Sequence, residues 1–490
     1  MIDKRLHIIA IVFLVCFGIL FLQLNNLQFK SASSLVNSKY NPRKFTKQIY
    51  LPRGEILTSD GQVLAESVPV KDNFKYLREY PYGSLFADIT GYDSIYYGTS
   101  GVENYYDSIL STHNSPSGSL NGLLTTGPTT DNVVLTLNTK LQQIAQQAVS
   151  KYQLGAVVAI DPANGDILAM YGTPTYNPNL LAQHNIAAEK QAYQALDPTS
   201  PTTPLLSVAY QQRYAPGSTF KVITSSAVYD HDPSLATHNY PAVTQIPLPD
   251  TTRTLHNYAY ESCGGQMPVL LEVSCDTGYA QLGLALGPQN MATEANGFGF
   301  NQVPPIDLPN AAVSYFPSAA SFSNQLPFLA YSAIGQGNVQ ATCLQMATVV
   351  AGIANGGVMM TPHVMDKIVN SLGQTVQKYV PKPWKFATSA TTAASVTSDM
   401  ELVAEGGTAA GLFPPGQHIA AKTGTGQTAA GAGSNNWLEA FGPNTGTSRP
   451  PVAVVAVVPY YQGLGIYTTG NQIAGPIVSQ VLEAAVSMGL

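Results

Sequence analysis

The sequence predicts an α+β protein in three parts: one membrane-crossing helix, a small β-rich pedestal and a larger α+β domain. Three observations carry this. Ile8 to Leu24 is an almost unbroken apolar run without a formal charge. Residues 25–130 are rich in Tyr, Asn, Ser and Gly and poor in long periodic stretches, a texture suited to short strands and turns. From Asp131 onward, strand and helix patterns alternate clearly. The expected segments are 1–6, 7–24, 25–130 and 131–490.

At about 1.5 Å per residue, the apolar run reaches the lower limit for crossing a hydrocarbon core about 30 Å thick. A cleaved signal peptide is the rival reading. The run is long for one, and the small residues Ser31-Ala32-Ser33 stand far beyond it. Leu14-Val15 before Cys16 does not make a lipoprotein cleavage site. Lys30, Lys39, Arg43 and Lys44 outnumber the basic residues before the span, which taken alone would keep the following chain in the cytoplasm. Large following domains override that rule.

In the pedestal, Arg53 to Leu57 and Gln62 to Ala65 read as a hairpin turning at Ser59-Asp60-Gly61. Gly101-Val102-Glu103 starts a short helix. Residues 111–130 read as a loop or hairpin. Arg53 and Asp60 are expected to pin the pedestal rather than do chemistry. Val133 to Leu137 is a strand, and Thr139 begins an amphipathic helix. Gly155 to Ile160 and Asp166 to Tyr171 are strands joined by the turn Asp161-Pro162-Ala163-Asn164-Gly165. Residues 172–212 lack clear periodicity, carry many Pro, Thr and Gln, and read as a loop-rich approach to Ser218. Near the C-terminus, Val452 to Val458 is a buried strand and Ile473 to Met488 an amphipathic helix. Trp437 and Phe441 are expected in the core.

Only 11% of residues are charged, and the net charge of −6 is spread thinly. No basic stripe suits nucleic acid. The four cysteines have no metal-ligand spacing, which disfavours zinc, and no cofactor is expected. Cys263 and Cys275 pair if they lie outside the cell, or remain two buried thiols. The histidines read mostly as surface residues.

The chemistry starts at Ala215-Pro216-Gly217-Ser218-Thr219-Phe220-Lys221. Pro-Gly suits a sharp turn into a helix, and apolar Val222, Ile223, Ala227 and Val228 continue it. Positions three apart share a helix face, so the Ser218 hydroxyl and the Lys221 amine would meet. Further on come Ser274-Cys275-Asp276 and, in a strand-like setting, Lys422-Thr423-Gly424-Thr425-Gly426. Each is bland alone: a helix start, a cap, a turn. Together, in this order, they are far less ordinary.

The three elements resemble those of the penicillin-binding proteins. The Arg53-Gly54 hairpin with Asp60-Gly61 looks like the membrane-proximal signature of class B members. Asp161 to Met170 is similar to their first catalytic hairpin. Gly335-Gln336-Gly337, Thr342, Leu344 to Ala347 and Ile353 to Gly357 are also typical. The region with Asn41-Pro42-Arg43 is most like the actinobacterial penicillin-binding protein A group. The resemblance covers nearly the whole chain.

It implies a five-stranded antiparallel sheet with helices on both faces, on a pedestal anchored outside the cell. It implies a D,D-transpeptidase of peptidoglycan stem peptides ending in D-Ala-D-Ala, acylated by β-lactams. Ser218 would be the nucleophile, Lys221 its base and Ser274 a proton relay. Lys422 with Thr423 and Thr425 would hold the terminal carboxylate, and Thr423, Gly424 and Thr425 make up the substrate and oxyanion positions. The N–H groups of Ser218 and Thr425 would form the oxyanion hole. No Gly-x-Ser-x-Gly elbow or matching histidine offers another base. Burial and Lys422 are expected to lower the pKa of Lys221. Asp276 departs from the family's usual Asn. It is expected to touch Lys221 and raise the pH optimum. A membrane glycosyltransferase of the elongation or division complex is the implied partner. A D,D-carboxypeptidase, or a non-catalytic scaffold or penicilloyl sensor, is the alternative.

Overall fold

The computed structural model describes residues 2–26, 50–112, 129–428, 432–444, 452–465 and 467–490. The basic residues 30–44 and most of the 111–130 loop lie outside the described residues. The chain forms two compact units. One is Met1–Pro52 with Val68–Leu77, the other Arg53–Ser67 with Arg78–Leu490.

The first unit contains helix α1 (Ile2–Asn25). Its segment His7–Asn25 has a mean hydropathy of 2.6 and none of it is buried. By length and composition this segment is sufficient to cross a membrane. In the same unit Tyr50 stacks on Phe74 with centroids 6.2 Å apart.

The second unit begins with β1 (Ile56–Leu57) and the part of β2 (Val63–Pro69) up to Ser67, the hairpin expected around Asp60-Gly61. Asp60 Oδ1 accepts from Thr139 N–H (3.1 Å) and Oγ1 (2.9 Å), fixing the turn to the next helix. Short helices α2 (Gly101–Tyr105) and α3 (Asp107–Leu110) follow. Strand β3 (Asp131–Leu135) pairs parallel with β1, Ile56 opposite Val133. Helix α4 (Thr139–Val149) is capped by Asn138, whose side chain accepts from Leu141 N–H.

Strands β4 (Gly155–Ile160) and β5 (Ile167–Thr173) are buried at every residue. Continuous apolar runs, rather than alternation, mark strands covered on both faces. Helix α5 (Ile186–Ala195) lies within the loop-rich stretch 172–212, where the sequence shows no period that announces it. Asn185 caps it, and its buried Glu189 bonds Ser94. A polar inward residue in place of an apolar stripe hides the helical period.

Next come α6 (Lys221–His231), α7 (Met267–Glu272), α8 (Asp276–Gly297) and the fully buried α9 (Cys343–Ala354). Strands β6 (Met365–Asn370) and β7 (Thr375–Lys378) extend the first sheet, β6 pairing antiparallel with β3. After α10 (Ala390–Glu405) come β8 (Ala420–Gln427), β9 (Ser434–Gly442), β10 (Val452–Val458) and the final helix α11 (Gly475–Met488). The main sheet has the order β8–β9–β10–β4–β5, antiparallel throughout. Helices α4 and α11 pack together on one face, and α9 packs on β4, β9 and β10 from the other. Strand β8, with Lys-Thr-Gly, is therefore an edge.

Candidate active site

Pro216 leads into a 3₁₀ turn, Gly217–Phe220, that runs straight into α6. Strand β8 lies against this turn, and its glycines make that possible. A Cβ on Gly424 would stand 2.7 Å from the Pro216 carbonyl oxygen, and one on Gly426 2.1 Å from that of Ala215. Any side chain there would push strand and turn apart. From β9, the buried Trp437 donates its Nε1–H to the same Ala215 carbonyl at 2.9 Å. Nucleophile turn and strand are thus held as one piece.

Lys221 is fully buried. Its Nζ donates to Asp276 Oδ1 at 2.7 Å, to the Ser274 carbonyl at 2.7 Å and to Ser274 Oγ at 3.3 Å. These partners do not include Ser218. Lys422, also fully buried, donates to Ser274 Oγ and to the Thr423 carbonyl, both at 2.9 Å. One hydroxyl therefore stands between two amines. The expected contact of Asp276 with Lys221 is present.

Ser274 sits in the corner between α7 and α8 with φ +58°, a left-handed conformation that costs a side-chain-bearing residue energy. The surroundings hold it there. Cys275 is joined to Cys263 by a disulfide. Asn257 Oδ1 accepts from Thr277 N–H at 2.8 Å. The question left open by the sequence is answered as a cystine, one residue from the relay hydroxyl.

Burial pushes the Lys221 ammonium below its ordinary pKa, while the charge and hydrogen bond of Asp276 oppose the shift. Burial pushes Lys422 well down, and Lys221 adds to this, against Glu439 and Asp276. Two amines in one dry pocket cannot both hold a proton cheaply. That is the setting a lysine base needs.

Thr423 Oγ1 shares a hydrogen bond with Thr408 Oγ1 at 2.7 Å, and Thr425 Oγ1 accepts weakly from Gly470 N–H at 3.4 Å. Gln336 braces the strand at both ends of its amide: Nε2 donates to the Thr425 carbonyl (3.1 Å), and Oε1 accepts from Gln427 N–H (3.1 Å). The motif Gly335-Gln336-Gly337 is legible in the sequence, but this bracing is not. A cavity of about 660 Å³ beside the strand is lined by Tyr214, Ala215, Tyr331, Gln336, Gln427 and Tyr460.

Sequence reading passed over Glu439, a fully buried carboxylate in the otherwise apolar run Trp437-Leu438-Glu439-Ala440-Phe441. Its signal was that contrast alone. The reading of the histidines as surface groups fails at His363, which is buried, bonded to Asp166 at 2.7 Å and stacked on Tyr379.

Residues 155–483 match the penicillin binding protein transpeptidase domain family, and residues 53–127 match the penicillin binding protein A dimerisation domain. The chain is 33% identical to the peptidoglycan D,D-transpeptidase PbpA of Mycolicibacterium smegmatis, over 99% of this chain and 100% of that protein. It is 32% identical to the PbpA of Mycobacterium tuberculosis, over 99% of each. The crystal structure of PBPA from Mycobacterium tuberculosis superposes with a TM-score of 0.79, covering 89% of this chain and 99% of that one at 32% identity. The same protein as a ceftriaxone acyl-enzyme complex gives 0.80, covering 90% of this chain and 99% of that one at 32% identity.

Proposed function

Because this chain belongs to the penicillin-binding protein transpeptidases, we propose that Ser218, Lys221, Ser274, Asp276 and Lys422 are its catalytic set, with Thr423, Gly424 and Thr425 at the substrate and oxyanion positions. The reaction is peptidoglycan D,D-transpeptidation, and β-lactams acylate the same serine. The observation that carries this reading is the Ser274 hydroxyl, bonded at 2.9 Å by Lys422 and 3.3 Å by Lys221, beside the turn that holds Ser218.

Neutral Lys221 takes the proton of Ser218 as Oγ bonds to the penultimate D-Ala carbonyl carbon. The resulting oxyanion is received by the N–H groups of Ser218 and Thr425, each such donor being worth about 2.7–4 kcal/mol. The proton passes through Ser274 to the leaving D-Ala nitrogen as the C–N bond breaks. Lys422, Thr423 and Thr425 hold the terminal carboxylate throughout. An amine of a neighbouring stem then attacks the acyl carbon; as the new C–N bond forms and the C–O bond to Ser218 breaks, the amine's proton passes by way of Ser274 and Lys221 to Ser218 Oγ, which is freed. The cavity beside β8 is a suitable bed for a stem peptide.

Residues 7–24 anchor the chain as a single pass, with 1–6 cytoplasmic and both the 25–130 pedestal and the 131–490 transpeptidase domain outside the membrane. The apolar helix α1 and the cystine, a bond of oxidising compartments, support that placement. A membrane glycosyltransferase that makes the glycan strands is the partner. Intact-mass spectrometry after fluorescent penicillin, with peptide mapping, is expected to find one adduct, on Ser218. An adduct elsewhere, or a Ser218→Ala variant that still acylates, overturns the assignment. Product analysis with an acceptor amine separates transfer from hydrolysis.

A further inference from the structure

Glu439 has no part in that reaction, yet it stands directly behind one of its residues. Strands β8 and β9 pair so that Lys422 lies opposite Glu439. Directly opposed residues of an antiparallel pair project from the same face, with Cβ atoms about 4.5–5.5 Å apart. Trp437 shares that face by alternation, and it reaches the Ala215 carbonyl at the nucleophile turn. Glu439 therefore looks toward the site from inside the sheet.

Its setting is otherwise hostile to charge. The side chain is fully buried, and neither carboxylate oxygen has a hydrogen-bond partner among the described residues. On the other side of the strand pair it faces Val455. A carboxylate so placed costs the fold energy unless a cation faces it. A costly group beside a reacting site points to use there rather than to support.

The charges around Lys422 say what the use is. Lys221 from α6 opposes its proton. Asp276, at the start of α8, is already engaged by Lys221 at 2.7 Å. Helix α9, packed on β9, brings only the Cys343 thiol, which donates to the Val455 carbonyl at 3.3 Å. Asp399 of α10 accepts from Tyr229, and Glu483 of α11 is exposed. Glu439 and Asp276 are thus the carboxylates that favour the Lys422 ammonium, and Glu439 has no other partner among the described residues: burial pushes its carboxyl well above the usual carboxylate range, and the charge of Lys422 opposes that shift.

We propose that Glu439 is the internal counter-charge of Lys422, a positioning residue that keeps this amine protonated to grip the carboxylate of stem peptides and β-lactams. The proposal rests on reading Lys422 as the carboxylate anchor. It binds no substrate itself and acts only through Lys422.

The test is Glu439→Gln, which keeps the shape and removes the charge. Losing the counter-charge lowers the pKa of Lys422. The alkaline limb of acylation by a carboxylate-bearing penicillin should move down by about one pH unit, and the second-order rate on that limb should fall about tenfold. The limiting acylation rate at saturation and the reaction with the methyl ester of the same penicillin should change little. Glu439→Val should lose the same recognition and, by leaving the buried Lys422 ammonium without its partner, lower the melting temperature. A wild-type pH profile and acid-to-ester preference in Glu439→Gln overturns the proposal, and so does a higher melting temperature in Glu439→Val. Lys422→Ala separates the two levels. If it acylates normally, the site assignment itself falls. If it is inert while Glu439→Gln behaves as wild type, only the role of Glu439 falls.

Discussion

At Lys221 two opposed effects meet in a single amine. Burial removes water from the ammonium and favours the neutral base, while Asp276 at 2.7 Å favours the charged form. Burial is the larger effect, so the net direction is down, and the carboxylate limits how far. Replacing Asp276 by Asn removes the charge and leaves a hydrogen-bond acceptor in place. The sign follows: without the anion the pKa of Lys221 falls further, and the neutral base exists at lower pH. The acid limb of β-lactam acylation should shift downward by roughly one to three units, the usual effect of one close opposite charge. Stopped-flow acylation across pH reads this directly, and an unmoved limb in Asp276→Asn contradicts the control of Lys221 by Asp276. The residues of this cluster were legible in the sequence because each sits in a short motif whose local geometry is nearly fixed. The contact between Asp276 and Lys221 was legible too, since the motif's usual amide occupies that place.

The corner between α7 and α8 depends on more than its own residues. Ser274 holds φ +58° there, and the cystine ties the next residue to a chain segment 12 positions earlier. A cross-link over so short a loop contributes about 3 kcal/mol through the unfolded chain's entropy. Cys263→Ser should therefore lower the melting temperature, and it should also slow acylation, because the relay hydroxyl loses its neighbour's anchor. Thermal unfolding and penicillin acylation, with and without reductant on the wild type, measure both. A variant that loses stability but acylates at the wild-type rate leaves the cystine only a structural part. Elements were read from the sequence with uneven success for a physical reason. The runs Gly155–Ile160 and Val452–Val458 are apolar at nearly every position, so composition alone announces them. Helix α5 turns a buried Glu189 inward, and its period is invisible without Ser94, its distant partner. Glu439 was missed likewise, because its meaning lies in the register Lys422 opposite Glu439, which no local pattern contains.

Over the whole second unit, chain segments far apart are fastened by buried polar groups rather than by apolar contact alone. Asp307 accepts from Tyr106 OH at 2.6 Å and from the N–H groups of Val364 (2.7 Å) and Met365 (3.0 Å), joining the short helices after the hairpin to the region of β6. Arg53 does the same near the start of the unit. Its guanidinium binds Glu103 at 2.9 Å and Asp107 at 2.8 Å, and Arg78 takes the other oxygen of Glu103 at 2.6 Å. Burial raises the pKa of Glu103, but the two arginines more than offset this and hold it below its ordinary value. A depressed carboxylate contributes stability that is present above its unfolded pKa, about 4.3, and is lost as pH falls through its folded value. Removing Arg53 leaves Glu103 fully buried with one cation fewer, and breaking such a network costs about 3–5 kcal/mol. Arg53→Ala should lower the melting temperature at neutral pH by several degrees, and it should lose less further stability on acidification than the wild type does. Because none of these groups touches Ser218, the folded fraction should acylate at the wild-type rate. Calorimetry at neutral and acid pH, paired with acylation kinetics, decides between this and a catalytic part for Arg53. An unchanged melting temperature, or a stable variant that fails to acylate, would reverse the reading of Arg53 as a fastening between segments.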